Sequence, residues 1–338
     1  MLKFTKYLKI CFLFTIILIF IIFGGINNFL NKINREIYEK SPSDSYDELL
    51  IMDESLNVDS VNAEGVLEPG LQAVGPGVST VLFPYGDNNA FNGKEIINIM
   101  LIGQDRRPYE MECRSDAMVL ATLNKKDNTV KLTSFMRDLY VEIPGYKGNR
   151  LNASYQYGGI KLLKETVEKN FLIQIDGNIA VDFEGFVAVV DNIGGIDVEI
   201  NQREARYLNY KNAGTVHMSG KTALIYSRIR EIGNSDYERT ERQRKVLTAI
   251  YDKTMKMNPV KAISMLNNTL PLVTTDLSNM EIIMLVSKIM NMKYTEPETL
   301  RIPVEGSYEA IKIRGMDVIK PDLHKNRNVL HDKLYENK

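Results

Sequence analysis

"NIMLIGQDRRPYEMECRSDAMVLATL", residues 98–123, is where the reading of this chain starts. One apolar run ends in Gly-Gln-Asp and a second begins at Arg-Ser-Asp. Between them lies a short charged hinge, so Asp105, Arg106, Arg107, Arg114 and Asp116 gather where two strands end and begin. "IINIMLI" and "DAMVLATL" lack polar alternation, the pattern of strands covered on both faces. "TVKLTSF" (129–135) is a third strand.

Helices follow. "GGIKLLKETVEKNF" carries Ile160, Leu163, Val167 and Phe171 as a stripe at helical spacing. "DFEGFVAVVDNIGG" predicts a short helix that Asp182 starts and the Gly194-Gly195 pair stops. "IDVEI" is a strand, and residues 237–256 are a long helix with Val246, Ile250 and Thr254 on one side. Pro259 opens a further helix, Ser278 caps another, and "TLRIPV" and "YEAIKIR" close the chain as strands. This mixture predicts an α/β fold, a mixed central β-sheet sandwiched between helices.

The ends of the chain differ from its middle. Lys3, Lys6 and Lys9 precede "ICFLFTIILIFIIFGGI", an apolar run long enough for a single transmembrane helix, with its lysine end in the cytoplasm. No small-residue cleavage site follows it, so residues 1–30 are expected to be a retained anchor. Residues 41–93 hold nine Asp/Glu and no Lys/Arg, with Pro, Gly and Ser interspersed. Residues 31–93 therefore read as an acidic extended linker, and residues 94–338 as one extracytoplasmic domain. Two cysteines, Cys11 and Cys113, provide neither a disulfide framework nor a zinc site. The domain is only slightly basic and shows no nucleic-acid motif, which excludes that class of partner.

Asp105 lies at a strand end, where open α/β sheets hold ligands, and Asp116 opens the next strand. A carboxylate pair there suits a hard cation such as Mg²⁺, and equally suits turn capping or pairing with nearby arginines. Further arginines recur in "SFMRDLYVEIPG" (Arg137, beside Asp138) and "YSRIREIGNSDYERTERQ" (Arg228, Arg230, Arg239, Arg242). If residues 227–231 are extended, Arg228 and Arg230 share a side and Ile229 turns away. On the helix, Arg239 and Gln243 share a face, and Asp236 either caps it or orients an arginine. Convergent guanidinium groups would repel one another by roughly 4 kcal/mol per pair at ~4 Å, so an anion would have to neutralise them. Their forks match phosphate oxygens. Periodicity does not bring these segments together.

The segments "NIMLIGQDRR", "RSDAMVLATLN", "SFMRDLYVEIPG", "RLNASYQYGG", "TVEKNF", "DFEGFVAVVDNIGGIDVEI", "HMSGKTALIYSRIR" and "DYERTERQRKVL" occur in an order that resembles the LytR-CpsA-Psr family of bacterial cell-envelope proteins. "RIPVEGSY" with "KPDLHKN" is similar to that family's closing segment. The resemblance implies the family's αβα fold behind a membrane anchor. It also implies phosphotransfer of an anionic glycopolymer (teichoic acid, capsule or secondary wall polysaccharide) from an undecaprenyl-diphosphate carrier to peptidoglycan. By the same resemblance, Asp105 and Asp116 would hold Mg²⁺, with Mn²⁺ the alternative. Arg107, Arg114, Arg137, Arg228, Arg230, Arg239 and Gln243 would contact the phosphates, Arg137 nearest the transferring phosphorus. Asp105 and Asp138 are both candidates to accept the acceptor's proton. Val181, Phe183, Phe186, Val187 and Val190 would line a polyprenyl pocket, a role that competes with plain core packing. The resemblance further implies a single-pass protein of the bacterial cell membrane. Rival readings are a polyprenyl-diphosphate hydrolase and a non-catalytic lipid-binding or regulatory module. The chain departs from the family pattern at Arg150, where relatives often have Lys, and at Phe135-Met136, where Ile-Pro is common.

Overall fold

A computed structural model describes residues 34–35, 94–105, 114–233, 235–257 and 268–335. The expected anchor, nearly all of the expected linker, Arg106, Arg107, Cys113 and the helix expected from Pro259 lie outside the described residues. Among the described residues, no helix is long and apolar enough to cross a membrane.

The quoted stretch forms the centre of a mixed sheet. Strands β2 (Ile96–Asp105), β3 (Arg114–Asn124) and β4 (Thr129–Phe135) run as an antiparallel meander. Two residues of the expected linker, β1 (Asn34–Arg35), pair in parallel with β10 (Val273–Thr275) at one edge. β7 (Gly177–Val181) lies between β10 and β2, and β11 (Glu298–Ile302) pairs in parallel with β4 at the other edge. The strand order is β1-β10-β7-β2-β3-β4-β11. Short hairpins β5 (Tyr140–Val141) with β6 (Asn149–Arg150), and β12 (Tyr308–Ile313) with β13 (Met316–Pro321), flank it.

The absence of alternation in β2 has its reason in the packing. Met100 and Ile102 belong to a core with Leu163, Val167 and Phe171 of α1 (Leu151–Phe171) and with Leu330 and Leu334 of a C-terminal helix. Ile97 and Ile99 face the other way, toward Leu277 and Leu285. Both faces thus carry packed apolar side chains, and the sheet is sandwiched between helices as the sequence predicts. The predicted stripe Ile160, Leu163, Val167 and Phe171 is buried, although α1 begins earlier and breaks at Gly158–Gly159.

Beside this core lies a second one. Asp182 caps α2 (Phe183–Asn192) by accepting from the Gly185 amide, and Gly194 and Gly195 follow it with φ of 82° and 75°. "IDVEI" forms β8 (Ile196–Ile200), but pairs only with β9 (Gly214–Met218), outside the main sheet. α3 (Gln202–Tyr207) follows β8. The expectation of an extended 227–231 fails at its first half: Ser219 caps a helix, α4 (Gly220–Arg228), that runs through Arg228. α5 (Ser235–Met255) supplies Val246 and Ala249 to this second core. α6 (Asn279–Asn291) carries the Ser278 cap as predicted, in a reciprocal pair with Glu281, and α7 (Leu323–Tyr335) ends the described fold.

Helices α2 and α4 touch at backbone distance. A Cβ placed on Gly220 would lie 2.2 Å from the Val187 carbonyl oxygen. We therefore expect Gly220→Ala to force the two helices apart and to cost about 1–3 kcal/mol, the range for overpacking a filled site. Chemical denaturation of the variant beside the native chain measures this.

Candidate functional site

Asp105 and Asp116 do not sit opposite each other in a regular ladder. Gly103 pairs with Ala117 but Gln104 pairs with Ser115, which leaves Asp116 as the extra residue of a β-bulge. Strict alternation would point Asp116 to the same face as Met118, into the α1 core. The bulge instead sends Ser115 there, where its hydroxyl lies 3.3 Å from the Met118 sulfur, and turns Asp116 toward the cavity that Asp105 also lines. Re-aiming one side chain is a recurrent use of a bulge.

Asp116 is the middle of a chain of alternating charges. Its Oδ1 accepts from Arg137 Nη1 at 2.8 Å and its Oδ2 lies 4.0 Å from Arg230. Arg137 also faces Asp138 at 3.4 Å, and Asp138 in turn faces Arg150 at 3.5 Å. On the far side, Asp236 lies 3.8 Å from Arg230 and 3.2 Å from Arg239. The expectation that an external anion must neutralise the arginines is thereby corrected: three aspartates already separate them. Asp236 orients two arginines rather than only capping α5. Burial lowers the Arg137 pKa, but Asp138 and the hydrogen bond to Asp116 outweigh it and leave the net shift upward. Arg239 goes the other way, to about 10, because it is 3% exposed and close to Arg137 and Arg230; Asp236 offsets this only in part. Its buried Nε has no hydrogen-bond acceptor among the described residues.

The segment that carries Arg228 and Arg230 is tied down from behind. Arg242 is 1% exposed; its Nε donates to Glu204 at 2.7 Å, one Nη2 bond reaches Glu238 at 2.7 Å, and further bonds reach the Ile229 and Ile232 carbonyls. Ile229 is buried in the second core, so Arg228 and Arg230 emerge on either side of it. Arg228 lies 4.2 Å over the Phe183 ring, a cation–π contact.

Part of this network borders one cavity of about 620 Å³. Asp105, Asp116, Arg137, Asp182, Arg228, Arg230 and Arg239 supply its charges, and Gln243 adds a neutral amide. Leu101, Val119, Ile179, Leu224, Leu247 and Ile250 belong to its apolar wall, none of them expected there from the sequence. Of the five residues expected on a lipid wall, Val181, Phe183 and Phe186 line it. Val190 does not, since it is fully buried in the second core. Val187 faces a shallow outer groove with Lys221 and Leu224. A helix wall presents one stripe, which here is Phe183, Phe186 and Val189. Arg114 is likewise off the cavity wall: it is exposed, and its Nε donates to Gln156 at 3.0 Å. Asp138 stands behind Arg137 and outside the lining, while Arg107 lies outside the described residues.

Asp105 and Asp116 offer hard oxygen donors to one space, which fits a divalent ion that keeps much of its shell as water or phosphate oxygen. Among the described residues, no group of three or more His, Cys, Asp or Glu forms a cage. Any ion held here would therefore be completed by ligand and solvent.

A mixed sheet between helices, with a guanidinium-rich mouth on an apolar cavity, defines an α/β protein suited to an amphiphile with an anionic head. The LytR_cpsA_psr family profile matches residues 79–332, and the chain belongs to that family. It is 37% identical over 173 residues to the polyisoprenyl-teichoic acid–peptidoglycan teichoic acid transferase TagU of Enterococcus faecalis, covering 50% of this chain and 57% of that protein. The chain spans about half the length of the curated relatives it matches. Among solved structures, B. subtilis TagV aligns at 27% identity and TM-score 0.59, covering 72% of this chain and 99% of the other. The LytR-CPS2A-psr family protein YwtF (TagT) with bound octaprenyl pyrophosphate lipid aligns at 27% identity and TM-score 0.56, covering 76% and 95%.

Two outcomes are expected. Arg242→Met strands the buried Glu204 carboxylate and should cost roughly 3–5 kcal/mol of stability, measured by chemical denaturation. Asp138 has its pKa raised, by burial first and by Asp236, against the pull of Arg137 and Arg150. As pH falls, it therefore protonates before an ordinary aspartate and loosens its hold on Arg137. Inorganic pyrophosphate binding, followed by calorimetry across the acid range, should tighten by a step above the usual aspartate range in the native chain, because a negative charge beside Arg137 is lost. In Asp138→Asn that step should be missing.

Proposed function

We propose that this chain is a phosphotransferase that moves an anionic glycopolymer from an undecaprenyl-diphosphate carrier to a peptidoglycan hydroxyl, forming a phosphodiester. One observation carries the reading: Arg137, Arg228, Arg230, Arg239 and Gln243 meet Asp105 and Asp116 at an apolar cavity. A lipid diphosphate has this division into an apolar chain and a charged head. The names of the TagU and YwtF relatives support the same substrate class.

In this reading, the apolar wall takes isoprene units while the arginines hold the diphosphate. The acceptor oxygen attacks the phosphorus next to the glycopolymer; the new O–P bond forms as the bond to the polyprenyl phosphate breaks. Phosphoryl transfer asks chiefly for positioning and charge stabilisation, which fixed guanidinium forks supply in a partly dry site. Arg137 is held by carboxylates on both sides and presents its charge without reorganisation. Asp105 and Asp116 would hold Mg²⁺, or Mn²⁺, which when bound would neutralise phosphate charge. The hydroxyl proton passes to a carboxylate at the site. Asp105 lines the cavity and is better placed than Asp138, which reaches it only through Arg137. His217 belongs to the β8–β9 hairpin, paired with Asp197 at 2.8 Å, and His331 contacts the Phe171 carbonyl, so neither serves a nucleophile at this site. The lysine-flanked apolar run 10–26 would anchor the protein in the bacterial cell membrane, N-terminus inside, with the domain facing the wall.

With lipid-linked glycopolymer as donor, the native chain should form product only when peptidoglycan oligomers are added. Arg137→Ala should slow that transfer by roughly 10²–10³-fold. Release of polymer at the same rate without acceptor would make the protein a hydrolase, and full activity of Arg137→Ala in cells would make it a binding module.

A further inference from the structure

Helix α5 straddles the sheet. Arg239 and Gln243 face the cavity, whereas Tyr237 and Arg244 turn to β4 and β11. Arg244 Nη1 donates to the Ser134 hydroxyl at 3.0 Å, and Ser134 is the register partner of Arg301, which brings the two guanidinium groups to one side of the sheet. The Arg301 guanidinium lies 4.2 Å over the Tyr237 ring, and the Tyr237 and Tyr308 rings are 6.0 Å apart.

The charge pattern differs from that of the main site. There, aspartates stand between Arg150, Arg137, Arg230 and Arg239. Here none does: burial lowers the Arg244 pKa to about 10, Glu241 opposes that shift, and Arg301 adds to it. The acids at hand are peripheral. Glu305 pairs with Arg301 at 3.3 Å but is 86% exposed, and exposed Glu241 faces Lys245 at 3.5 Å. The buried Nε of Arg244 has no hydrogen-bond acceptor among the described residues. Two forks without an intervening carboxylate suit an oxyanion held in two-point contact.

The cluster adjoins the site on two elements. Tyr237 follows Asp236 directly, and the Met136 amide, one residue before Arg137, donates to the Ile302 carbonyl at 2.9 Å, one residue after Arg301. In the reading above, the donor lipid and diphosphate take the cavity and the alternating chain. The second substrate has no residues yet. Peptidoglycan presents sugar rings and free carboxylates, chemistry that matches a tyrosine ring beside paired arginines.

We propose that Arg244 and Arg301, with Tyr237, form the subsite that holds a carboxylate of the peptidoglycan acceptor. This rests on the transferase reading. The test uses the full-length chain with lipid-linked glycopolymer and peptidoglycan oligomers whose stem carboxylates are either free or amidated. The native protein should prefer the free form. Arg301→Gln and Arg244→Gln should each raise the acceptor KM about tenfold and remove that preference, with the donor KM and kcat at saturating acceptor near native. Arg301→Lys, which keeps the charge, should recover part of the preference, and thermal unfolding of each variant checks its fold. Unchanged acceptor KM in folded variants overturns the subsite while leaving the transferase reading intact. No acceptor-dependent product from the native chain overturns both.

Discussion

The ion pair between Arg137 and Asp116, 2.8 Å long, is the contact on which the site's order depends. It joins a bulge between β2 and β3 to the loop after β4, and its other partners extend it to Arg150 on one side and to Arg230, Asp236 and Arg239 on the other. Guanidinium groups this close would repel without acids between them. Alternation solves that before any ligand arrives. The same alternation leaves the cavity with fixed dipoles and charges already oriented, so an incoming anion replaces contacts and does not have to create order.

Much of this was legible from residues alone. The paired faces of β2, the α1 stripe, the Asp182 and Ser278 caps and the charged residues at strand ends all follow from spacing and local hydrogen bonding. What was not legible depended on register. Nothing in "RSDAM" announces that Asp116 is the extra residue of a bulge, because no glycine or proline marks it and the signal lies in the pairing with Gly103 and Gln104. Regular alternation would have buried that carboxylate among methionines. Helix α4 escapes the sequence for a different reason: the arginines at its end fit an extended segment over 227–231, although Ser219 before Ala223 and Tyr226 carries a cap and a buried spacing. The cavity wall was half readable, since a helix of valines and phenylalanines does not reveal which stripe meets a cavity and which meets a neighbouring helix.

The role of Arg242 also came from three dimensions. In sequence it is one more arginine beside Arg239. In the fold it is the least exposed arginine of the cluster, and it spends its donors on Glu204, Glu238 and two carbonyls of the segment that carries Arg230. A lysine could meet one or two of these partners but not a planar set of four. The same side-chain chemistry thus serves two ends: where carbonyls and carboxylates saturate it, it is a brace, and where a buried donor is left over, as at Arg239 Nε, its charge is less fully compensated.

Two carboxylates of the charged rim and part of the apolar wall are coupled because they are built on the same two strands. Leu101 and Val119 are register partners, as are Gly103 and Ala117, and all four border the cavity below Asp105 and Asp116. Any change in register between β2 and β3 would therefore move the wall and the carboxylates together. An apolar wall beside the arginines also excludes water from one side of them, which raises the worth of each charge–charge contact relative to a solvated surface. That is visible in Arg239, whose burial makes its charge more costly than usual and so more responsive to a partner. Under the proposed function, specificity for a greasy anion then needs no separate device: a ligand that lacks the chain would leave the wall wet, and one that lacks the head would leave Arg239 underused.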